Sequence, residues 1–307
     1  MTPKPAREPE PERPESPPVA SEAWTVGRLL TWTTGHLQRR GSESPRLDAE
    51  VLLAHVLSWE RVRLYTHYES EISESQRGAY RELVRRRAQG TPVAYLVGRK
   101  EFYSLALAVS PAVLIPRPDS EFVVVEFLAA LQKRAGPLAV DVGTGSGCLA
   151  LACAHQHKTA RFLAVDSSAQ ALDVARANAE ALRLTDRVSF FQGNLLEPVA
   201  ALGPFDAIIS NPPYIPSGQI PTLEPGVRDY EPHNALDGGP DGLRVVANLI
   251  EQAAPLLSPG GHLILEIGTA QEEAVRHLIA AQPGLKLTPT VRDHANHPRV
   301  VHASRAD

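Results

Sequence analysis

The chain has 307 residues, 43% of them hydrophobic and 21% charged, enough for one sizeable α/β domain with a smaller companion. No apolar run approaches the roughly 18 residues of a membrane span and the amino terminus lacks the apolar centre of a signal peptide, so a cytoplasmic protein with no membrane partner is expected. A formal charge of -4 offers no general basic footprint for long nucleic acid, and Cys148 and Cys153 are not spaced to share a helix face, so they read as free thiols.

Residues 1–20 are crowded with proline, glutamate and arginine and read as a disordered leader. Folding should start near Trp24, with a helical domain over 21–95. Val26, Leu29, Leu30 and Leu37 predict a first helix. Leu47, Val51, Leu52, Leu53, Val56 and Leu57 predict a second, with Asp48 and Glu50 in its first turn. Arg61 to His67 reads as a connection. Ser73 to Gln89 reads as a third helix whose Arg81, Arg85, Arg86 and Arg87 face either solvent or a polar partner.

A hairpin and linker are expected over 96–120, following a turn from Thr91 to Gly98. The predicted strands are Glu101 to Val109 and Ala112 to Ile115. In IPRPDSE, residues 115–121, prolines stiffen the loop and leave Arg117 to pair with a carboxylate or a carbonyl. Asp119 or Ser120 can cap the following helix, whose apolar side is expected to carry Phe122, Val125, Phe127 and Leu128.

The last region, 121–307, reads as a larger α/β domain. Leu138 to Val142 is a strand running into Gly143-Thr144-Gly145-Ser146-Gly147. This GxGxG spacing differs from the GxGxxG of dinucleotide folds and the GxxxxGK of phosphate loops, which argues against a dehydrogenase. Arg161 to Val165 is a second strand ending at Asp166, a carboxylate placed either to take two ribose hydroxyls or to cap the helix from Ala169 to Leu182. Asp141 can reach an ammonium group. Val188 to Gln192 is a third strand, after which Asn194 can meet an adenine edge.

FDAIISNPPY, residues 205–214, is the chemical centre. An apolar strand is stopped by Asn211, Pro212, Pro213 and Tyr214, which present the asparagine at a strand's carboxyl end with little freedom. The Asn211 side-chain oxygen and the Pro212 carbonyl are acceptors able to hold the two hydrogens of an amine or amide nitrogen, and Tyr214 can pack on a planar group. A stiff surface turn is the plain alternative. From Ile215 through Asp241 little is periodic, and the segment reads either as a mobile cover or as disorder without function. A helix from Gly242, an SPGG turn, a strand from His262 to Ile267, a helix from Ala270, and an antiparallel hairpin of Leu285 to Val291 with Arg299 to Ala303 complete the pattern. His294 and His297 make no metal pattern, and Ser146 lacks a nucleophile elbow.

YLVGRKEF, VLIPRPDSE, DVGTGSG, NPPY, VRDYEPHNALDGG and SPGGHLILEIG occur in one order from about Trp24 almost to the end. In this the chain resembles the protein-(glutamine-N5) methyltransferases of the HemK/PrmC-like family, which modify peptide-chain release factors in translation termination. The resemblance implies a Rossmann-like, seven-stranded class I methyltransferase sheet with an antiparallel final strand and a small N-terminal helical domain. It implies S-adenosyl-L-methionine as methyl donor, S-adenosyl-L-homocysteine as product, no metal, and a monomer that takes the Gly-Gly-Gln loop of a release factor without a stable nucleic-acid partner. Carried over, Asn211, Pro212 and Tyr214 are catalytic. Asp141, Gly143, Thr144, Gly145, Gly147, Asp166, Asn194 and Asn211 hold the cofactor, and Arg117, Pro118, Asn211, Pro212, Pro213 and Tyr214 meet the substrate. Ser120 stands where the family usually has threonine, and Asn194 where many members have aspartate. A ribosomal-protein glutamine or a nucleic-acid exocyclic amine is the alternative acceptor.

Overall fold

The computed structural model describes residues 23–306, so the predicted leader lies outside the described residues. Its contacts divide the chain into two units, the first ending at Val84 and the second running from Arg85.

Helices α1 (Val26–Arg39), α2 (Pro45–Leu57), α3 (Arg61–Thr66) and most of α4 (Glu74–Ala88) make up the described part of the first unit. The Thr25 side chain caps α1 by accepting from the Arg28 N–H at 3.3 Å. Val26, Leu29, Leu30 and Leu37 are buried, as their spacing predicts. In α2 the stripe is displaced. Leu47 is exposed, while Asp48 and Glu50 are buried. Glu50 can occupy an inward position because Arg46 Nε and the Tyr65 hydroxyl donate to its Oε1 at 2.6 and 2.5 Å, with Arg61 3.6 Å from Oε2. The stretch read as a connection, from Arg61 on, is itself α3.

After the last residues of α4, the second unit continues with α5 (Val93–Val97), inside the stretch read as a turn, and ends that helix at Gly98 with φ of 71°. The hairpin that follows is earlier and tighter than its sequence suggests: β1 (Arg99–Phe102) pairs antiparallel with β2 (Leu105–Ala108), and residues 112–115 form no strand. Tyr103 and Ser104, at φ of 48° and 62°, form the two-residue turn. Such turns usually carry Asn-Gly, and the absence of that signal is why the turn is hidden in the sequence. Asn178 fastens the hairpin: its Oδ1 accepts from the Ala108 N–H at 2.7 Å and its Nδ2 donates to the Ala108 carbonyl at 3.0 Å.

The remaining chain builds a three-layer α/β sandwich. Its helices are α6 (Glu121–Leu131), α7 (Cys148–Gln156), α8 (Ala169–Ala181), the short α9 (Pro225–Arg228), α10 (Arg244–Leu256) and α11 (Glu272–Ala280). Its strands are β3 (Leu138–Val142), β4 (Arg161–Asp166), β5 (Val188–Gln192), β6 (Phe205–Ser210), β9 (Leu257–Glu266), β10 (Leu285–Leu287), β11 (Val291–Arg292) and β12 (Pro298–Arg305). The minor strands β7 (Ile215–Pro216) and β8 (Asp237–Gly239) pair apart from them. Seven strands follow one path, β10-β12-β9-β6-β3-β4-β5, and β11 adds an eighth beside β12. The five from β5 to β9 are parallel, and β12 runs antiparallel to β9 and β10. The predicted SPGG turn is absorbed into β9, where the register with β6 jumps between Phe205 and Ala207.

Alternation along the strands feeds two cores. Ala139, Ala207 and Ile209 pack with Phe127, Leu149 and Leu151 on one face. Val140, Val142 and Ile208 pack with Leu249, Ile250 and Val275 on the other. The inward side of α6 is Val123, Val124, Phe127 and Leu131, and Val125, expected inside, is exposed. Among the described residues no helix is long and apolar enough to cross a membrane.

Register decides where the site lies. Val142 is level with Val165 on one side and with Ser210 on the other, so Gly143, Asp166 and Asn211 each leave their strand at the same height. From β3 the chain winds outward to β4 and β5, then returns to β6 on the opposite side. The gap between β3 and β6 is thus the topological switch point at which open α/β sheets bind ligands.

Candidate active site

A cavity of about 200 Å³ opens over these strand ends, with Gly143, Gly145, Asp166, Asn194, Asn211 and Pro212 in its wall. Gly143 has φ of +71°, and a Cβ there would meet nothing within 4 Å, so the missing side chain leaves open space. Gly147 serves packing instead, because a Cβ would lie 2.9 Å from Leu151 Cδ1 and 3.3 Å from Ala175 Cβ. The Asp166 carboxylate accepts the Gly145 N–H on Oδ2 and the Ser168 N–H on Oδ1, each at 2.9 Å. Burial pushes its pKa upward against those bonds, and each oxygen keeps acceptor capacity for a hydroxyl. Asn194 donates from Nδ2 to Glu197 Oε1 at 2.7 Å. The open space beside Gly143 and the carboxylate at Asp166 together fit an adenosyl group.

Asp141, Thr144 and Gly147 lie outside that wall. Asp141 is fully buried, and its Oδ2 accepts from Thr144 Oγ1 at 2.6 Å and from the Ala150 N–H at 3.1 Å. Its Oδ1 is buried without a hydrogen-bond partner, and burial raises the carboxyl to about 6. In this geometry Asp141 braces the glycine turn from behind.

A second, smaller cavity of about 110 Å³ is lined by Arg117, Asn211, Pro212, Tyr214 and Leu236 among others. Asn211 and Pro212 belong to both walls. Pro213 lines the larger cavity, whereas Pro118 lies in a 3-10 turn, Pro118–Ser120, and lines neither. Arg117 is bound to Glu231 Oε1 at 2.5 Å, and Glu231 Oε2 accepts from the Ile115 N–H at 3.4 Å. The segment 215–241, without pattern in the sequence, thus contains β7, β8, α9 and two 3-10 turns, and supplies this buried carboxylate.

Asn211 Nδ2 donates to Ser120 Oγ at 2.9 Å, and Ser120 Oγ donates to Glu266 Oε2 at 2.5 Å. Ser120 therefore makes no capping bond to α6. After the prolines, Gln271 Nε2 donates to the Tyr214 carbonyl at 3.0 Å and the Gly242 carbonyl at 3.1 Å, fixing the peptide that leaves Tyr214. Burial raises the Tyr214 phenol, with Glu266 close by. Among the described residues no group of three or more His, Cys, Asp or Glu side chains could hold a metal ion.

Known proteins match this chain along almost its whole length. Residues 28–98 match the profile described as PrmC N-terminal domain, and residues 124–222 that described as methyltransferase small domain. The release factor glutamine methyltransferase of Rhodopirellula baltica is 43% identical over 287 residues, which cover 92% of this chain and 97% of the relative. The chain belongs to the release factor glutamine methyltransferase family, the PrmC/HemK family of protein-glutamine N5-methyltransferases. The Yersinia pestis member is 44% identical over 260 residues, 84% of this chain and 92% of its own.

The class I methyltransferase fold of this family member recurs in solved structures of lower identity. The hMettl16 catalytic domain, solved with the MAT2A 3'UTR hairpin 6, superposes with a TM-score of 0.53 at 15% identity over 73% of this chain and 82% of that one. A methyltransferase from Pyrococcus furiosus gives 0.50 at 20% identity over 68% and 92%. Three residues around the candidate site escape sequence reasoning. Glu266 had a signal, as the only charge in the apolar run LILEI at a strand's carboxyl end. Glu231 and Gln271 lie in stretches whose partners are set only by the tertiary fold.

Proposed function

We propose that the chain transfers a methyl group from S-adenosyl-L-methionine to the side-chain amide nitrogen of the glutamine in the Gly-Gly-Gln loop of a peptide-chain release factor. The carrying observation is that the two cavities share a wall of Leu114, Asn211, Pro212 and Ala235, in which Asn211 is the polar side chain across which a donor and an acceptor can meet. In this reading the larger cavity takes the cofactor. Gly143 and Gly145 approach it with backbone, Asp166 takes the ribose hydroxyls, Asn194 meets the adenine, and Asp141 with Thr144 holds the turn in shape. The cofactor supplies an electrophilic methyl group on its sulfonium when bound.

The protein's own task is to orient a poor nucleophile. An amide nitrogen's lone pair is delocalised into its carbonyl, so the hydrogens must be held while the lone pair is aimed. Asn211 commits Nδ2 to Ser120, leaving Oδ1 to accept one hydrogen, and the Pro212 carbonyl accepts the other. Both bonds strengthen as the N–H becomes more acidic during transfer, so the preference is for the transition state and no strong base is required. Tyr214 packs on the amide and excludes water, and Arg117, held by Glu231, flanks the incoming peptide at the smaller cavity. Every group named comes from one chain, so a monomer suffices. The proposed reaction uses no metal.

Transfer of labelled methyl from S-adenosyl-L-methionine to intact release factor tests this, with the labelled residue located by peptide mass analysis. Label is expected on the Gly-Gly-Gln glutamine, and is expected to be absent when that glutamine is alanine or when the enzyme carries Asn211→Ala. Folded, cofactor-binding enzyme that labels only a ribosomal protein or RNA would overturn the assignment.

A further inference from the structure

We infer that Ser120 and Glu266 are positioning residues that set which way the Asn211 amide faces, and so whether the site offers an acceptor to its substrate. The inference rests on the role proposed above for Asn211. It starts from three side chains on three separate elements: the turn before α6, the end of β9 and the end of β6. Ser120 is 1% exposed and Glu266 2%. A carboxylate buried this deeply is expensive unless partners hold it, and Ser120 is one of them.

The direction of the relay follows from what each group can donate. An ionised carboxylate only accepts, so Ser120 must give its single hydrogen to Glu266. The Ser120 oxygen can then only accept, so the side of the Asn211 amide that faces it must be the NH2. Oδ1 is thereby turned outward. Protonating Glu266 removes the constraint: the acid donates to Ser120 Oγ, the Ser120 hydrogen becomes available to Asn211 Oδ1, and the amide can turn over to present hydrogens where the substrate needs an acceptor.

The surroundings place that proton near neutrality. Burial pushes the Glu266 carboxyl up to about 7, with Asp119 raising it further and Ser120, Arg299 and Tyr214 opposing. Arg299 is itself bonded to Asp119 at 3.0 Å and to Asp293 at 2.9 Å, so it does not neutralise Glu266 directly. The site is competent above that pH and loses its orientation below it.

The test measures kcat, both KM values and the pH dependence of kcat for release-factor methylation by the full-length parent, Ser120→Ala, Ser120→Thr, Glu266→Gln and Asn211→Ala, with thermal unfolding and cofactor binding run alongside. Ser120→Ala should lower kcat about ten- to hundred-fold with KM for the cofactor within about twofold, and Ser120→Thr, which keeps the hydroxyl, should recover most of it. The parent should show an acid limb in kcat that is missing from Glu266→Gln, a change that a merely structural role would not produce. Ser120→Ala with kcat within about twofold of the parent, while Asn211→Ala is inactive, would overturn the relay and leave the proposed function intact. An active Asn211→Ala enzyme would instead overturn the reading of Asn211 on which the relay depends. An acid limb retained in folded Glu266→Gln would overturn the assignment of the proton to Glu266.

Discussion

Arg117 and Glu231, 114 positions apart in the chain, meet at 2.5 Å beside the smaller cavity, the arginine one-third exposed and the glutamate side chain 1% exposed. The pair ties the segment between β7 and β8 to the proline-rich turn before α6. It also decides which way the guanidinium points, because a buried carboxylate with a bidentate-capable partner has few alternatives.

Glu231→Ala should therefore lower stability by about 1–3 kcal/mol, since water can resolvate the partly exposed Arg117 and soften the loss. Urea denaturation of Glu231→Ala, Arg117→Ala and the double variant measures this. The double variant should lose clearly less than the sum of the singles, and additive losses would show that the pair is not coupled.

The glycines of the β3 turn should separate binding from folding. Gly143→Ala adds a methyl group to open space at φ of +71°, costing about 1 kcal/mol in backbone strain. Its main effect should be on cofactor affinity, lowered at least about tenfold in equilibrium dialysis. Gly147→Ala meets Leu151 at 2.9 Å and should instead depress the unfolding temperature. The reverse ranking would contradict the cavity assignment.

Asp141 should make stability depend on pH in a particular window. Its folded pKa is about 6 against an ordinary 3.8, so between those values the folded protein keeps a proton that the unfolded chain has lost. Its contribution to unfolding free energy thus falls as pH rises from about 4 to about 6, by up to about 3 kcal/mol, and is level above that. Parent and Asp141→Asn should diverge across this window in denaturant unfolding followed at successive pH values. Parallel curves would mean that Asp141 is ionised throughout.

The hairpin turn offers a change remote from the site. Ser104 is exposed at φ of 62°, a conformation glycine adopts without strain. Ser104→Gly should raise the unfolding free energy by about 0.5–1 kcal/mol and leave methylation unchanged.

Much of the site was legible because its parts are local. A strand that ends in Asn-Pro-Pro-Tyr, a strand that ends in a glycine turn and a strand that ends in Asp166 each announce themselves over a few residues, and parallel register brings the three ends level. The glutamates at 231 and 266 could not be placed that way, since their partners stand 114 and 146 positions away. Ser120 is hidden for the same reason: a serine before a helix looks like a cap, and only the fold brings Asn211 and Glu266 to it instead. Leu47, expected on the apolar stripe, is exposed, and Glu50, read only as a first-turn acid, is buried where Arg46 and Arg61 pair with it. Tyr103 and Ser104 concealed a turn that lacks the usual residues for its backbone.

Pro212 stands in the shared wall and, being proline, brings no N–H there. In the proposed reading its carbonyl and Asn211 Oδ1 face the acceptor, so an arriving side chain meets lone pairs from two oxygens. Glutamate has nearly the size and shape of glutamine and would pass any steric filter, but its carboxylate brings negative charge where hydrogens are wanted. If the chemistry is as proposed, a substrate loop whose glutamine has been deamidated is refused by electrostatic mismatch, and the site discriminates between two side chains that differ by an NH2 and an oxygen.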